Sequence, residues 1–360
     1  MAALWDTNIA ITSAVSALTR GFGDLGILLI VDKATNSLNS VTGTVTYTLL
    51  SQAAADATSG YISAGTLAAI TAFFAQVPHA TEIKVANWDL VAPETAAACL
   101  SRIQAIDNDW YFVLTNQRGD TNMLAMATAV NALGSDAETG MKYFLGQSAS
   151  AFNTGTYPSA LTSLQTMTRT AVVYHETTTV WCELAWVAKV ASWNQSEISP
   201  GWMWVNLDST TVPTLTPAGL GYCKTNNANV AAPAGGYACV MGQGYGTDGT
   251  PIKSRVTADI LTKTMRSTIL DGLVYLATEK GVVVGVDEQG KSTILGWIAA
   301  VISNLTNAGH FEPGQSVLLA QAISSADRTA RRLRFDTTEQ LVEQLVTATI
   351  ANYLTPSPVV

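Results

Sequence analysis

The sequence predicts an α/β protein built on a mostly parallel sheet, joined to a second unit of two long helices and short strands. The whole is α+β. Three observations predict this. First, from residue 42 to about 192 short apolar runs alternate with stretches of helical periodicity. That is the pattern of strand–helix–strand units whose sheet is covered on both faces. Second, residues 251–313 place Leu261, Met265, Ile269, Leu273 and Leu276 on one stripe, and Ile294, Leu295, Ile298, Val301, Ile302 and Leu305 on another. Spacings of three and four residues put each set on one helix face, which makes two long amphipathic helices and a short connector. Third, the chain has 360 residues, 48% hydrophobic and 13% charged. An ordinary soluble domain carries about 25% charged residues. A folded chain with so few charges is expected to cover much of its surface with other protein.

The elements follow in order. Asn8-Ile9-Ala10-Ile11-Thr12 alternates like a short strand. Gly21-Phe22-Gly23-Asp24-Leu25-Gly26 matches the dinucleotide fingerprint, but that motif needs a strand before it and a helix after it. Here the strand, 27–31, comes afterwards, so the glycines read as a turn feeding a buried strand. A strand is expected over 45–50, a helix over 64–76, a strand over 82–87, and a helix over 93–106 with Pro93 in its first turn. Next come a strand over 110–115 and a helix over 120–133 with Asp120 as its N-cap. Strands at 141–145 and 170–174 flank a short helix at 158–166, and a helix spans 181–191. Trp181, Trp186, Trp193, Trp202 and Trp204 crowd one region and are expected to fill a junction between units.

A short helix at 215–223, an Asn-rich turn at 226–229 and a strand at 238–241 lead to Gly242, Gly244, Gly246 and Gly249, read as a flexible loop. The first long helix is expected over 254–280. Asp259 lies near its start, where a carboxylate suits the positive end of the helix dipole, and Gly281 ends it. A short strand at 282–286 precedes the second helix, 292–308, which Gly309 ends. A strand at 316–322 follows. In 324–334 helical spacing puts Arg328, Arg331 and Arg332 on one face. The stretch 341–353 ends in strand-like Val346-Thr347-Ala348-Thr349-Ile350, and the tail holds two prolines.

Parallel sheets bind ligands beyond the carboxyl ends of their strands. The polar residues expected there are Asn87, Asp89, Asn116, Gln117, Arg118, Asp120, Gln147, His175 and Glu176. His175 and Glu176 with Asp89 or Asp120 are the right types for a hydrolytic site. No G-x-S-x-G elbow, phosphate loop or H-E-x-x-H accompanies them, so they read as polar loop residues and the chain as no enzyme, with no cofactor and no metal. Cys99, Cys182, Cys223 and Cys239 lack metal-ligand spacing and read as buried thiols. A net charge of −8 argues against direct nucleic-acid binding. No apolar run reaches the length of about 20 residues that a membrane span needs. Two alternatives stand beside an assembly protein: a Rossmann-like enzyme or binding protein with an unrecognised ligand site, and a carbohydrate-binding module that uses the tryptophans.

One order of features is more specific. A glycine-rich strand region lies before Ile252, then Ala258-Asp259-Ile260-Leu261, Leu273 to Gly281, a turn with Asp287 and Gly290, a second helix, and Asn307-Ala308-Gly309. This order resembles the contractile tail sheath proteins of tailed, myovirus-type bacteriophages, most clearly over 252–334. The resemblance implies an N-terminal arm (1–24), an outward-facing α/β unit (25–250), an inner unit facing the tube (251–345) and a C-terminal arm (346–360). It implies a virion structural protein, assembled in the host cytoplasm as stacked hexameric rings. Its partners would be further copies of itself, an inner tail tube, a baseplate and a tail terminator. The sheath would contract to drive the tube through the host envelope. Ile9, Ile11, Val346 and Ile350 would then link subunits by strand addition, and Arg328, Arg331 and Arg332 would form a basic patch facing the tube.

Overall fold

The structure, a computed structural model, describes residues 27–32, 43–88, 94–134, 141–194, 198–199, 201–314, 317–325, 333 and 335–338. Its centre is β1 (Leu28–Asp32), buried at every position. β1 lies parallel between β3 (Ile83–Asn87) and β4 (Phe112–Thr115). Beyond β4 come β5 (Tyr143–Ser148), β6 (Thr170–Tyr174) and a two-residue β8 (Ala228–Asn229), all parallel. β2 (Thr44–Tyr47) closes the other edge, antiparallel to β3, and completes a seven-stranded sheet. Side chains alternate across a strand. Leu28 and Ile30 therefore enter the core on one face, and Leu29 and Val31 the core on the other.

The first face is covered by α2 (Ala64–Phe74) and by α5 (Cys182–Val190). The second is covered by α3 (Ala96–Ile106), α4 (Asp120–Leu133), a 3-10 helix at Ser159–Thr166 and α6 (Pro217–Thr225). A small antiparallel sheet, β7 (Val205–Asn206), β10 (Tyr237–Met241) and β9 (Ala231–Ala234), follows the first face. Then come α7 (Ile252–Glu279) and α8 (Glu288–Asn307), and a two-stranded sheet of β11 (Val317–Ala320) and β12 (Phe335–Thr338).

Several expectations are corrected. The strand expected to reach residue 50 stops at Tyr47, and α1 (Leu50–Thr58) begins there. The Gln52 side chain accepts from the Thr48 and Leu49 N–H groups, filling orphan donors of the helix start. α3 starts at Ala96 with Thr95 as its cap, and Pro93 lies outside the described residues. Gly119, not Asp120, is the N-cap of α4; Asp120 is the first helical residue and accepts from the Ser148 and Ser150 hydroxyls. Residues 282–286 form no strand.

The glycine run is pinned rather than flexible. The Asn229 amide binds both the N–H and the carbonyl of Tyr245, and Thr247 is buried, with its N–H on the Thr170 carbonyl. A Cβ at Gly246 would sit 3.0 Å from the Tyr143 hydroxyl and 3.2 Å from the Thr170 carbonyl, so only glycine passes there without displacement. Of the tryptophans expected at a junction, Trp186 and Trp202 lie in the core on the first face of the sheet. Both are fully buried, edge-to-face at 5.2 Å, with the Trp186 indole N–H on the Trp202 carbonyl. Trp181 is buried too, but Trp193 and Trp204 are exposed.

Candidate assembly surface

The polar residues at the strand ends serve the fold. At the switch point between β1 and β4, Asp32 accepts from the N–H and hydroxyl of Ser63 and from the Asn116 amide. Ser63 is in turn the N-cap of α2. At the place where such sheets usually bind a ligand, the Asp32 carboxylate is thus engaged by the start of α2 and by Asn116. His175 and Glu176 face backbone: Nδ1 accepts from the Thr177 N–H at 2.9 Å, and the Glu176 carboxylate from the Thr214 N–H at 2.8 Å. Gln147 bridges the Thr177 carbonyl and the Cys182 N–H. Asp120 holds two serines, as above, and Asp89 lies outside the described residues. The structure does not bring these residues together as a nucleophile, base and orienter. Among the described residues no group of three or more His, Cys, Asp or Glu is placed to hold a metal, and no helix is long and apolar enough to cross a membrane.

The helix pair is different. α7 has 28 residues, about 42 Å at 1.5 Å per residue. Its buried residues, Ile252, Lys253, Val256, Thr257, Asp259 and Ile260, all lie in its first third. There it joins the core through Ile252, Val256 and Ile260, which meet Val301, Leu305 and Phe311 at the far end of the hairpin. The next turns still reach that core through Leu261 and Met265, and Lys263 lies 6.0 Å over the Tyr111 ring; beyond them α7 has no fully buried residue. A Cβ at Gly272 would be 2.7 Å from the Trp297 ring, so the glycine lets that indole lie against α7. Asp287 caps α8 by accepting from the Gly290 N–H at 2.7 Å. The connector carries Val282 and Val283 in solvent, Val283 at 85% exposure. From Ser292 to Asn307 the chain has no charged residue, and Ser292, Gly296, Ala299, Ala300, Ser303, Asn304 and Asn307 are its exposed positions. A solvated helix normally carries its charges on that face.

An ion pair fastens the hairpin to the sheet. Asp259 does not serve the helix dipole; it accepts from Arg169 through two bonds, 2.7 and 2.8 Å, and from the Tyr111 hydroxyl at 2.8 Å. Arg169 precedes β6 and Tyr111 precedes β4. Burial disfavours the Arg169 charge, yet Asp259 more than offsets this and its pKa rises. Burial first, then Asp259, pushes the Tyr111 phenol well above its ordinary value, so it stays a donor. Sequence reasoning missed both partners. The signal was Asp259 itself: a carboxylate among Val256 and Ile260 on a buried face requires a cation.

β11 and β12 lie at the end of the described chain. Among the described residues no strand lies beside the outer edge of either, and an edge without a neighbour is open to strand addition. The arm residues Ile9, Ile11, Val346 and Ile350 and the basic patch Arg328, Arg331 and Arg332 lie outside the described residues.

No family model matches this sequence, and no curated protein matches it. Solved structures do. A chain of the anti-feeding prophage baseplate superposes with a TM-score of 0.68 at 12% identity, over 92% of this chain and 93% of that one. The anti-feeding prophage helical sheath in its contracted state gives 0.65 at 14% identity, over 91% and 92%. The chain has the contractile-sheath fold. The sheath tail protein of Listeria innocua, at 10% identity, covers 98% of its own length with a TM-score of 0.56. The resemblance read from the helix pair is borne out as fold, and the sheath fold here extends over both the parallel sheet and the hairpin.

Proposed function

We propose that this chain is the sheath subunit of a contractile injection particle, a structural protein without catalytic activity. In this reading it polymerises as stacked hexameric rings around an inner tube. It shortens on a signal from the baseplate and drives the tube through a target envelope. A phage tail, with a terminator closing the sheath and the genome following the tube, is the specific setting proposed. The observation that carries the reading is the sheath fold over nine-tenths of the chain. Residues 25–250 form the outer unit and 251–345 the tube-facing unit. The uncharged outer face of α8 supports this, since a face without charges suits cover by protein better than by water.

The arms 1–24 and 346–360 link subunits by adding strands to the open edges of β11 and β12 in neighbours. About five ladder bonds at ~1 kcal/mol net each are matched by ~1–2 kcal/mol per residue of backbone ordering. Hydrogen bonds alone at best break even. Burying Ile9 and Ile11, or Val346 and Ile350, adds ~1.5–3 kcal/mol per side chain, so these residues decide whether subunits join. Negative-stain electron microscopy of the purified chain over a range of concentration and salt tests the function. Striated hollow tubes or stacked rings are expected. A protein that stays small and dispersed even with its inner tube protein present contradicts the reading.

A further inference from the structure

The turn after β6 is organised around a histidine whose protonation state is fixed by its contacts. His175 is 2% exposed, and its own N–H binds the Ser148 carbonyl at the end of β5. Nδ1 accepts the Thr177 N–H at 2.9 Å. An acceptor at Nδ1 leaves the neutral ring's one proton on Nε2, which is buried beside the Thr211 backbone. The Thr177 carbonyl takes the Gln147 amide at 3.1 Å and the Val180 N–H at 3.3 Å. Arg118 reaches the same turn: it donates to the Val180 carbonyl at 3.2 Å, lies 3.7 Å over the Trp181 ring, and pairs with Glu183 at 2.7 Å. Residues 175–181 thereby launch α5, the buried helix that carries Trp186 into the core.

We propose that His175 is a proton-operated lock on this turn: a second ring proton breaks the bond to Thr177 and loosens the seam at the carboxyl ends of β5 and β6. A protonated Nδ1 is a donor, and it would face another donor. The charged groups around it do not relieve that. Arg118, from the loop after β4, repels a second cation. Glu183 on α5 is already paired with Arg118, and Asp120 on α4 is held by Ser148 and Ser150. Glu176 is 4.0 Å away, but its side chain is 40% exposed and its carboxylate already accepts from Thr214. The Cys182 thiol, pushed well up by burial, stays neutral. Burial, with Arg118, outweighs Glu176 and the backbone contacts of Thr211 and Thr177, and holds the ring below its ordinary pKa. The unfolded chain therefore takes up this proton at a higher pH than the folded one, and stability falls as pH drops through about 6.5.

His175→Asn tests this, because an Asn side chain accepts the N–H two residues on, as Nδ1 does here, and does not titrate. Urea unfolding of both full-length proteins is compared between about pH 7.5 and about pH 5. The wild-type unfolding constant should rise by up to about 30-fold more than that of His175→Asn; parallel pH profiles overturn the proposal. A second measurement needs no variant at this position. Ring nitrogen NMR of the wild type, assigned with His79→Gln and His310→Gln, should show a neutral Nε2–H tautomer persisting at about pH 6. A ring that titrates near the ordinary value of about 6.5 overturns it.

Discussion

Asp259→Asn tests how the hairpin is joined to the sheet. The carboxylate takes three hydrogen bonds, at 2.7, 2.8 and 2.8 Å, and the Arg169 and Asp259 side chains are 3% and 4% exposed. Solvent screening, which makes surface pairs nearly worthless, does not apply here. The substitution keeps the shape but leaves the Arg169 guanidinium buried with no counter-charge. Breaking a buried pair from one side costs ~3–5 kcal/mol. For a chain of this length unfolding in one transition, that is a fall of roughly 4–7 °C in Tm. Calorimetry of the dispersed subunit measures it. The double change Arg169→Met with Asp259→Leu, which removes both charges, should recover most of the loss. An Asp259→Asn protein within about 1 kcal/mol of the parent, or a double variant no better than the single, would refute the claim that this pair fastens the hairpin.

Other predictions follow from the connector and the surfaces. Gly290→Ala would place a Cβ 2.0 Å from the Gly285 carbonyl oxygen. The gain of about 1 kcal/mol in helix propensity should be reversed into a net loss, with faster amide exchange over 281–290 as the readout; unchanged exchange there counts against the geometry. Ile11→Asp and Ile350→Asp should each abolish long tubes while leaving the subunit's Tm unchanged, and full-length tubes from both would dismiss the arm proposal. Charge reversal at Arg328, Arg331 and Arg332 should weaken attachment to the inner tube and remove its salt dependence; binding that ignores both salt and reversal rules the patch out.

Strands β1, β4 and β6 are legible because they are buried on both faces and therefore read as apolar runs; β3 is legible from Ile83, Val85 and Ala86 although Lys84 interrupts it. The hairpin was legible from its stripe. α1 was not: Ala53 is its one fully buried residue, so tertiary contact leaves almost no periodic trace in its sequence. β8 is two residues long and held by the Asn229 side chain, which propensity cannot foresee. The partners of Asp259 lie 90 and 148 residues away, at positions only the assembled sheet brings together. His175 reads from sequence as a polar loop residue at a strand end; that it carries the turn rests on the Thr177 N–H donating to Nδ1, which sequence does not show.

The central claim is that this chain is a sheath subunit whose neighbours complete the β11–β12 sheet. Helical reconstruction of assembled tubes from the full-length protein tests it most directly. The account predicts density for added strands along the outer edges of β11 and β12, contributed by the arms of adjacent subunits, with the α7–α8 hairpin turned toward the lumen. Tubes in which that sheet remains two-stranded and the hairpin faces solvent would contradict it.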